Sequence, residues 1–285
     1  MCSMNQSNHE IRRMIYTTEK PGATELHHGD CLKLMPSIPD GSVDMILADL
    51  PYGVTQNKWD VPIPMQPLWD QYRRIVKPNG AIVLTATQPF ASALITAAAD
   101  LFRYDLVWEK SRITGFLNSN RMPLRAHELV LVFYKNLPTY NPQRIKLNSP
   151  SFKSKGSANR LTTSYGDFDP TVSTGSPDGT GFPRSIFNVR YEPDFFDSSV
   201  GGSRMTHPTQ KPASLMEYLI RTYTNEGEVV LDNCMGSGTT GVAAVRCGRR
   251  FIGIEMDARY FEAAKSRIQE EEARAISMIQ FTPTY

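Results

Sequence analysis

The sequence predicts an α/β fold, a doubly wound and mainly parallel sheet, interrupted by a loop-rich insertion. Two observations predict it. Short apolar, β-branched segments alternate with segments of helical spacing on both sides of the middle of the chain. Residues 136–205, by contrast, are rich in Ser, Thr, Asn, Gly and Pro and show neither period. A structureless loop of this length is uncommon inside a compact domain, so we interpret this segment as an insertion with its own role.

The first half of the chain alternates strands and helices. The predicted strands lie at 25–28, 43–48, 81–86, 104–110 and 128–135, and the predicted helices at 67–77 and 89–101. A turn-rich helical piece separates the first two strands. Leu68, Tyr72 and Ile75 share one stripe of the helix at 67–77, and the Pro-Asn-Gly run at 78–80 is expected to end it.

Regular spacing returns after the insertion. A helix is expected to begin near Pro212. It is followed by a strand at 228–232, a glycine turn, a helix at 239–248, a strand at 250–256 and a final charged helix. Strands that alternate with helices are typical of a parallel sheet covered on both faces.

Composition excludes several classes of protein. At 285 residues and 40% hydrophobic content the chain can bury a sizeable core, and a net charge of +2 indicates no partner by itself. Four cysteines without a CxxC pair, and five histidines without metal-ligand spacing, predict reduced thiols and no metal site. No apolar run approaches the roughly 20 residues of a membrane span, and no hydrophobic signal segment begins the sequence. The predicted location is the cytoplasm.

The glycine turn indicates a nucleotide-like cofactor. Gly236 and Gly238 follow a strand and precede a helix, where they permit a sharp turn and a close approach of the backbone to a ligand. Glu255 ends the next strand, where a carboxylate suits the two hydroxyls of a ribose. Together these features predict an adenosine-containing cofactor. They do not decide between NAD and S-adenosylmethionine.

The segment MILADLPYG, in which an apolar strand ends at Asp49, predicts the chemistry. An exocyclic amino nitrogen is a poor nucleophile, because its lone pair is delocalised into the ring. Two acceptors aimed at its N–H groups would help, and the carboxylate of Asp49 and the carbonyl of Leu50 can supply them. Pro51 keeps this turn rigid. Tyr52 offers a flat face for an extruded base.

These residues resemble the [D/N/S]-P-P-[Y/F] motif of amino-group DNA methyltransferases, with Leu50 in place of the first proline. The segment GDCLKLMPSIPDG, HPTQKP at 207–212 and DNCMGSGTT at 232–240 resemble three further segments of that family. The catalytic motif precedes the insertion and the cofactor turn follows it, which is the order of the β group. Over roughly residues 25–270 the resemblance implies a seven-stranded, Rossmann-like methyltransferase sheet, S-adenosyl-L-methionine as cofactor and double-stranded DNA as partner.

The resemblance also implies roles for single residues. An aspartate at position 49 is typical of N6-adenine enzymes, and Asp30, Thr209, Lys211 and Asp232 match residues that surround the cofactor in that family. The full set of candidate cofactor-binding residues is Asp30, Thr209, Lys211, Asp232, Cys234, Gly236, Ser237, Gly238, Thr239, Thr240 and Glu255. Asn233 and Cys234 depart from the Pro and Phe of the family pattern. The aromatic ring that Cys234 replaces packs beside the cofactor, so this departure puts the affinity in question.

The predicted organisation has four parts: a partly ordered leader (1–20), a catalytic half (21–135), a target-recognition insertion (136–205) and a cofactor-binding half (206–285). Within the insertion, residues 141–165 contain five Lys and Arg residues and no acid, which suits contacts to phosphates. These candidate DNA-binding residues are Arg144, Lys146, Lys153, Lys155 and Arg160. For Trp108, Lys110, Arg125 and Glu128, structural packing and DNA contact both remain open.

The predicted function is therefore methyl transfer from S-adenosylmethionine to N6 of a flipped adenine in duplex DNA, without a metal. One alternative is an N4-cytosine methyltransferase of the same fold. The other is an NAD-dependent oxidoreductase that uses the glycine turn. The family resemblance allows for a homodimer and for a companion restriction endonuclease.

Overall fold

A computed structural model of the chain describes residues 13–14, 23–53, 60–146, 179–188 and 210–280. The strands are β1 (Arg13–Met14), β2 (Thr24–His28), β3 (Val43–Ala48), β4 (Val76–Ala86), β5 (Phe102–Thr114), β6 (Arg125–Phe133), β7 (Ile145–Lys146), β8 (Thr180–Gly181), β9 (Ile186–Phe187), β10 (Val229–Asp232) and β11 (Arg250–Glu255). The helices are α1 (Cys31–Leu34), α2 (Met65–Ile75), α3 (Phe90–Ala97), α4 (Ala213–Tyr223), α5 (Thr239–Arg246) and α6 (Ala258–Gln280). Short 3-10 turns follow α1 and β5.

The main sheet has the strand order β1-β2-β11-β10-β3-β4-β6-β5-β9. The five strands from β2 to β4 in this order are mutually parallel, whereas β6 is antiparallel to both β4 and β5. Because β1 and β9 contain two residues each, seven longer strands carry the sheet. The predicted doubly wound, mainly parallel α/β fold is confirmed. A separate pair, β7 and β8, lies in the segment expected to be an insertion.

Helices cover both faces of the sheet, because apolar side chains alternate along its central strands. In β3, Ile46 packs with Leu68 and Trp69 of α2, while Met45 and Leu47 point to the other face. That other face is covered by α4, α5 and α6, with Leu219 among their buried residues. All six residues of β3 are buried. A strand buried on both faces reads as a continuous apolar run, which explains the composition of this segment.

The sheet order brings distant parts of the chain to one edge. β3 and β10 are hydrogen-bonded neighbours, and the carboxylate of Asp44 also accepts a hydrogen bond of 2.9 Å from the backbone N–H of Val229. Since β3, β10 and β11 are parallel, their carboxyl ends lie along the same edge. Asp49 follows β3, Asp232 ends β10 and Glu255 ends β11. Ligands of open α/β sheets bind at such an edge.

The helix and strand around residue 77 differ from the prediction. The helix ends at Ile75, and β4 begins at Val76 instead of at residue 81. The reason is that Val76 pairs with Val43 of β3. Gly80 permits this pairing, because a Cβ at that position would lie 2.8 Å from the carbonyl oxygen of Asp44. The Pro-Asn-Gly run therefore lies within β4, at the register shift between the Val43–Val76 and Met45–Ala81 pairs.

Most of the predicted leader lies outside the described residues. Its described part is β1, in which Arg13 and Met14 pair with His27 and Leu26 of β2. In the described ranges, no helix is both long and apolar enough to cross a membrane.

Candidate active site

The carboxylate of Asp49 lies at the carboxyl end of β3 and receives three hydrogen-bond donors. The hydroxyl of Tyr52 donates to Oδ1 over 2.7 Å, and the hydroxyl of Thr85 on β4 donates to the same oxygen. The ammonium nitrogen of Lys211 lies 2.8 Å from Oδ2. A carboxylate offers about four acceptor positions, two on each oxygen. These contacts therefore leave one position for a further N–H donor, on Oδ2.

Lys211 joins two carboxylates that come from different strands. Its Nζ contacts Asp49 and also lies 3.0 Å from Oε2 of Glu128 on β6, and the Lys211 side chain is only 9% exposed. Burial alone would lower the pKa of this ammonium group, but the two carboxylates and Tyr52 raise it above its usual range. Lys110 of β5 completes the network with an ion pair of 3.1 Å to Glu128. Lys110 and Glu128, for which packing and DNA contact were both open, belong to this ion-pair network.

The ring of Tyr52 is half-buried beside the same carboxylate. It packs against Phe90 of α3 with 5.1 Å between ring centroids, and Nζ of Lys211 lies 6.0 Å from its centroid. Burial, together with the negative charge of Asp49, raises the pKa of the Tyr52 hydroxyl well above its usual value. The hydroxyl therefore stays protonated and serves as a donor that orients Asp49.

The glycine turn between β10 and α5 is held by the acid at the end of β11. The N–H of Gly236 donates to Oε2 of Glu255 over 2.9 Å, and the N–H of Asp257 donates to Oε1 over 2.7 Å. Gly236 has a φ of +51°, and a Cβ there would meet no heavy atom within 4 Å. Gly238 has a φ of +81°, and a Cβ there would lie 2.9 Å from the Cβ of Ala264. The turn is therefore open to solvent at Gly236 and tightly packed against α6 at Gly238.

Asp232 is a buried acid at the end of β10. It accepts a hydrogen bond of 3.0 Å from the N–H of Cys234 and is also hydrogen-bonded by Thr240 at the start of α5. Burial nevertheless raises the pKa of Asp232 to about 7. Burial likewise raises the pKa of Glu255. Two acids whose ionised forms are disfavoured suit a ligand that brings a positive charge and hydrogen-bond donors.

Asp232→Asn is expected to stabilise the free protein at alkaline pH. The folded-state pKa of Asp232 is about 7 and the ordinary value is 3.8, so ionised Asp232 costs folding free energy as pH rises between these values. Above pH 7 this cost reaches roughly 4 kcal/mol as an upper bound. The variant should therefore unfold several degrees higher than the wild type at pH 8 and at nearly the same temperature at pH 4, measured by calorimetry. Asp70→Asn, at an exposed site on α2, is the control. A variant that is no more stable than the wild type at pH 8 would contradict the assigned pKa.

Asn233 and Cys234, the two residues that depart from the family pattern, belong to one hydrogen-bond network. The hydroxyl of Tyr72 on α2 donates to Oδ1 of Asn233 over 2.6 Å. The amide nitrogen of Asn233 in turn lies 3.6 Å from the sulfur of Cys31 and 3.5 Å from that of Cys234. Tyr72 is fully buried, so its hydroxyl needs this partner. Sequence reasoning did not find the pairing, because Tyr72 and Asn233 are 161 positions apart.

The remaining predicted cofactor residues lie around the same edge of the sheet. Asp30 caps α1 by accepting a hydrogen bond of 2.9 Å from the N–H of Leu32. The carbonyl of Ser237 accepts a hydrogen bond of 2.6 Å from Arg267 of α6. Thr239 and Thr240 are buried at the start of α5. Thr209 lies outside the described residues.

The structure describes two of the five predicted DNA-binding residues. Arg144 and Lys146 are exposed near β7, and the guanidinium of Arg144 lies 4.6 Å from the ring centroid of Phe182. Lys153, Lys155 and Arg160 lie outside the described residues. Among the residues that are described, no cluster of three or more His, Cys, Asp or Glu side chains could hold a metal ion.

Similarity to known proteins is extensive. Residues 43–266 match the N6_N4_Mtase family model, described as DNA methylase. The chain is 30% identical over 268 residues to the DNA adenine methyltransferase YhdJ of Escherichia coli K12, covering 86% of this chain and 83% of YhdJ. A shorter match, 52% over 65 residues, is to the Type II methyltransferase M2.DpnII of Streptococcus pneumoniae and covers 23% of this chain and 24% of that protein.

Two solved structures show the same architecture. The M1.HpyAVI–SAM complex aligns with a TM-score of 0.57 at 25% identity and covers 86% of this chain and 98% of that one. The cytosine-N4-specific PvuII DNA methyltransferase aligns with a TM-score of 0.59 at 18% identity, with coverage of 90% and 95%. At the latter identity the likeness shows the fold alone.

Proposed function

The chain belongs to the DNA methylase family of N6- and N4-methyltransferases, and from this premise we propose that it transfers a methyl group from S-adenosylmethionine to N6 of adenine in DNA. The observation that supports this reaction is the geometry of the Asp49 carboxylate. It accepts from three donors and has one further acceptor position free. YhdJ, a relative over most of the chain, is an adenine methyltransferase. That relationship, together with an aspartate as the first residue of the motif, favours adenine over cytosine.

Asp49 and Leu50 would orient the amino group of the target base. Oδ2 of Asp49 accepts one N6–H and the carbonyl of Leu50 accepts the other, which draws the nitrogen lone pair out of conjugation with the ring. Lys211 forms an ion pair with Asp49, and the hydroxyls of Tyr52 and Thr85 fix the rotation of its carboxylate. The ring of Tyr52 stacks against the flipped base. The surplus proton of N6 passes to Oδ2 of Asp49 or to water. Most of the rate acceleration comes from this preorganised arrangement.

Bound S-adenosylmethionine supplies an electrophilic methyl group on a positively charged sulfur. The residues proposed to hold it are those that the strand ends bring together. Asp232 and Glu255 offer buried carboxylates, and Gly236 leaves open space beside them. Asp30, Lys211 and the start of α5 complete the proposed binding site. Thr209 and Cys234 keep the roles that the family resemblance implies for them.

The experiment that tests this function uses purified protein, S-adenosylmethionine and unmethylated genomic DNA. Digestion to nucleosides should yield N6-methyladenine, and modified-base sequencing of DNA from expressing cells should place it at one recognition sequence. N4-methylcytosine in the digest would favour the alternative of an N4-cytosine enzyme. The NAD-dependent oxidoreductase is not supported, because the family match extends over both the DLPY segment and the glycine turn. Binding of NAD but not of S-adenosylmethionine would revive that alternative.

Residues 136–205 are proposed as the target-recognition region between the two halves of the catalytic domain. Replacing Lys153, Lys155 and Arg160 with glutamine should weaken DNA binding and lower the slope of log affinity against log salt by about 2 to 3, because each phosphate contact releases counterions. Fluorescence anisotropy at several salt concentrations measures this slope. Lys265→Gln together with Arg274→Gln on α6 is the control. An unchanged slope would place the phosphate contacts elsewhere.

The larger assembly is a separate proposal. Similarity to part of a Type II methyltransferase supports a role in restriction and modification, with a companion endonuclease that recognises the same site. A homodimer is proposed on the family resemblance alone, and analytical ultracentrifugation with and without DNA tests it. The cytoplasm is proposed as the location because the substrate is DNA.

A further inference from the structure

The hairpin formed by β5 and β6 extends beyond the edge of the sheet that carries Asp49. Ala86, the last residue of β4, pairs with Leu129 of β6. Because β6 is antiparallel to β4, the residues before Leu129 continue past the carboxyl end of β4. At about 3.4 Å per residue, the part of β6 from Leu129 back to its first residue, Arg125, extends about 13 Å beyond the end of β4. The hairpin tip, residues 115–124, therefore projects from the side of the molecule that holds the candidate active site.

The hairpin tip exposes large apolar side chains. Leu117 is 101% exposed, Phe116 66% and Met122 50%. The tip has a defined backbone, since Gly115 has a φ of +97° and the N–H of Asn118 donates to its carbonyl over 3.0 Å. The carbonyl of Asn118 accepts from the N–H of Met122 over 3.0 Å. Several exposed apolar side chains on one ordered turn mark an interaction surface better than single scattered ones do.

The charge of the hairpin fits a polyanion. Between Glu109 and Glu128 the sequence contains no acid but includes Arg112, Arg121 and Arg125. Arg121 and Arg125 are exposed on either side of Met122 and the end of the tip. Apolar residues flanked by arginines are typical of elements that enter DNA, where the apolar side chains separate bases and the cations contact the phosphates.

The base of the hairpin is joined to the candidate active site. Lys110 of β5 pairs with Glu128 of β6 over 3.1 Å. The other oxygen of Glu128 lies 3.0 Å from Nζ of Lys211, which pairs with Asp49 over 2.8 Å. The base of the hairpin is therefore held in a fixed position relative to Asp49 by consecutive ion pairs.

We propose that the hairpin tip enters the DNA duplex next to the target adenine, with Leu117 and Phe116 filling the space that the flipped base leaves. Arg121 and Arg125 contact the backbone phosphates beside that position. Filling the gap offsets part of the cost of unstacking, which is a few kcal/mol. The proposal rests on the proposed function only in taking duplex DNA as the partner and base flipping as a required step.

The test compares a wedge variant, Phe116→Ala with Leu117→Ala, with the wild type and with a control, Ile276→Ala. Ile276 is 58% exposed on α6, which packs against β2 and β11, far along the sheet from β5 and β6. The duplexes contain the recognition sequence, found by modified-base sequencing or, without methylation, by selecting the duplexes that the protein binds from a random pool. In one series the target base is 2-aminopurine, whose fluorescence rises when it leaves the stack. In another series the target adenine is opposite either thymine or an abasic site.

On binding, the wild type and the control should raise the fluorescence of 2-aminopurine, and the wedge variant should not. The kcat/KM of the wedge variant should fall at least about tenfold on the paired duplex, in line with a cost of a few kcal/mol for unstacking. It should return to nearly the wild-type value when the target lies opposite an abasic site, because little stacking and no pairing then remain to be broken. A merely structural role would reduce kcat/KM equally on both duplexes.

Three results would overturn the proposal. These are an unchanged fluorescence rise in the wedge variant, an equal loss of kcat/KM on both duplexes, or conversion of a wild-type dimer to monomers, which would assign the tip to a second copy of the chain. Arg121→Gln and Arg125→Gln should each lower the salt slope of DNA binding by about 1. The fluorescence readout does not require methyl transfer, so a wild type that flips the base without methylating it would contradict the proposed function and leave the wedge supported.

Discussion

Asp49→Ala should abolish methyl transfer while leaving S-adenosylmethionine binding intact. Removing the carboxylate removes the acceptor for one N6–H, and an apolar methyl group takes its place beside the target nitrogen. Losing a preorganised acid–base group of this kind lowers kcat by roughly 10³-fold. The Asp49 charge is also among the causes that raise the pKa of Asp232, so its removal should favour the ionised form of Asp232 in the proposed cofactor site. Single-turnover rates and calorimetric titration with S-adenosylmethionine measure the two properties separately.

Two further variants sharpen this test. Asp49→Asn keeps an acceptor oxygen at the same position and should retain part of the activity that Asp49→Ala loses. Asp70→Ala removes an exposed aspartate of α2 and should have wild-type rates. Near-normal turnover of Asp49→Ala would defeat the assignment of this residue. Loss of cofactor binding in the same variant would show that Asp49 supports the cofactor site instead.

Lys211→Met should make turnover depend more strongly on pH than it does in the wild type. In the wild type, one ammonium group lies between the carboxylates of Asp49 and Glu128. Without it, Glu128 keeps Lys110 as a partner over 3.1 Å, but Oδ2 of Asp49 loses its cation, so protonation of Asp49 becomes more favourable in the variant. Because ionised Asp49 is the stronger acceptor for an N6–H and can also take up its proton, kcat should fall by about 10²-fold near neutral pH and recover as pH rises. Removing one partner of a buried ion pair should also lower the free energy of unfolding by roughly 3 kcal/mol.

The pH profile separates this role from a purely structural one. It is measured from pH 6 to 9 at saturating S-adenosylmethionine, since Lys211 is also a candidate cofactor contact. Lys211→Arg retains the charge and should preserve the wild-type profile. A profile of wild-type shape for Lys211→Met, with or without a lower rate, would mean that the ammonium group does not control the charge of Asp49.

Local sequence was sufficient to predict where the candidate site residues lie in the fold. The segment at 43–48 forms β3 with the predicted bounds, because the apolar run at 45–48 suits a strand buried on both faces and the carboxylate of Asp44 finds a hydrogen-bond partner in Val229. Gly236 and Gly238 have the positive φ angles that their place in a strand–turn–helix unit requires. Asp49, Asp232 and Glu255 lie at strand ends because alternating strands and helices form a parallel sheet.

The partners of Asp49 could not be predicted in the same way. Thr85 and Glu128 reach this site from β4 and β6, and their contacts depend on the order of the strands in the sheet. The order of the strands in the sheet cannot be predicted from local patterns of hydrophobicity. The exposed hairpin tip escaped prediction for a related reason, since its strands extend beyond their apolar segments by cross-strand pairing, as between Thr114 and Arg125.

The position of β3 has a consequence for synthesis of the protein. One side of this fully buried strand pairs with β4, but the other pairs with β10, which the ribosome produces only at residues 229–232. About 180 residues separate Ala48 from Val229, so at about 5 to 20 residues per second an apolar edge would stay uncovered for roughly 9 to 36 s. Open edges of this kind recruit other strands and cause aggregation. Nascent chains interrupted before Val229 are thus the species that most need a chaperone.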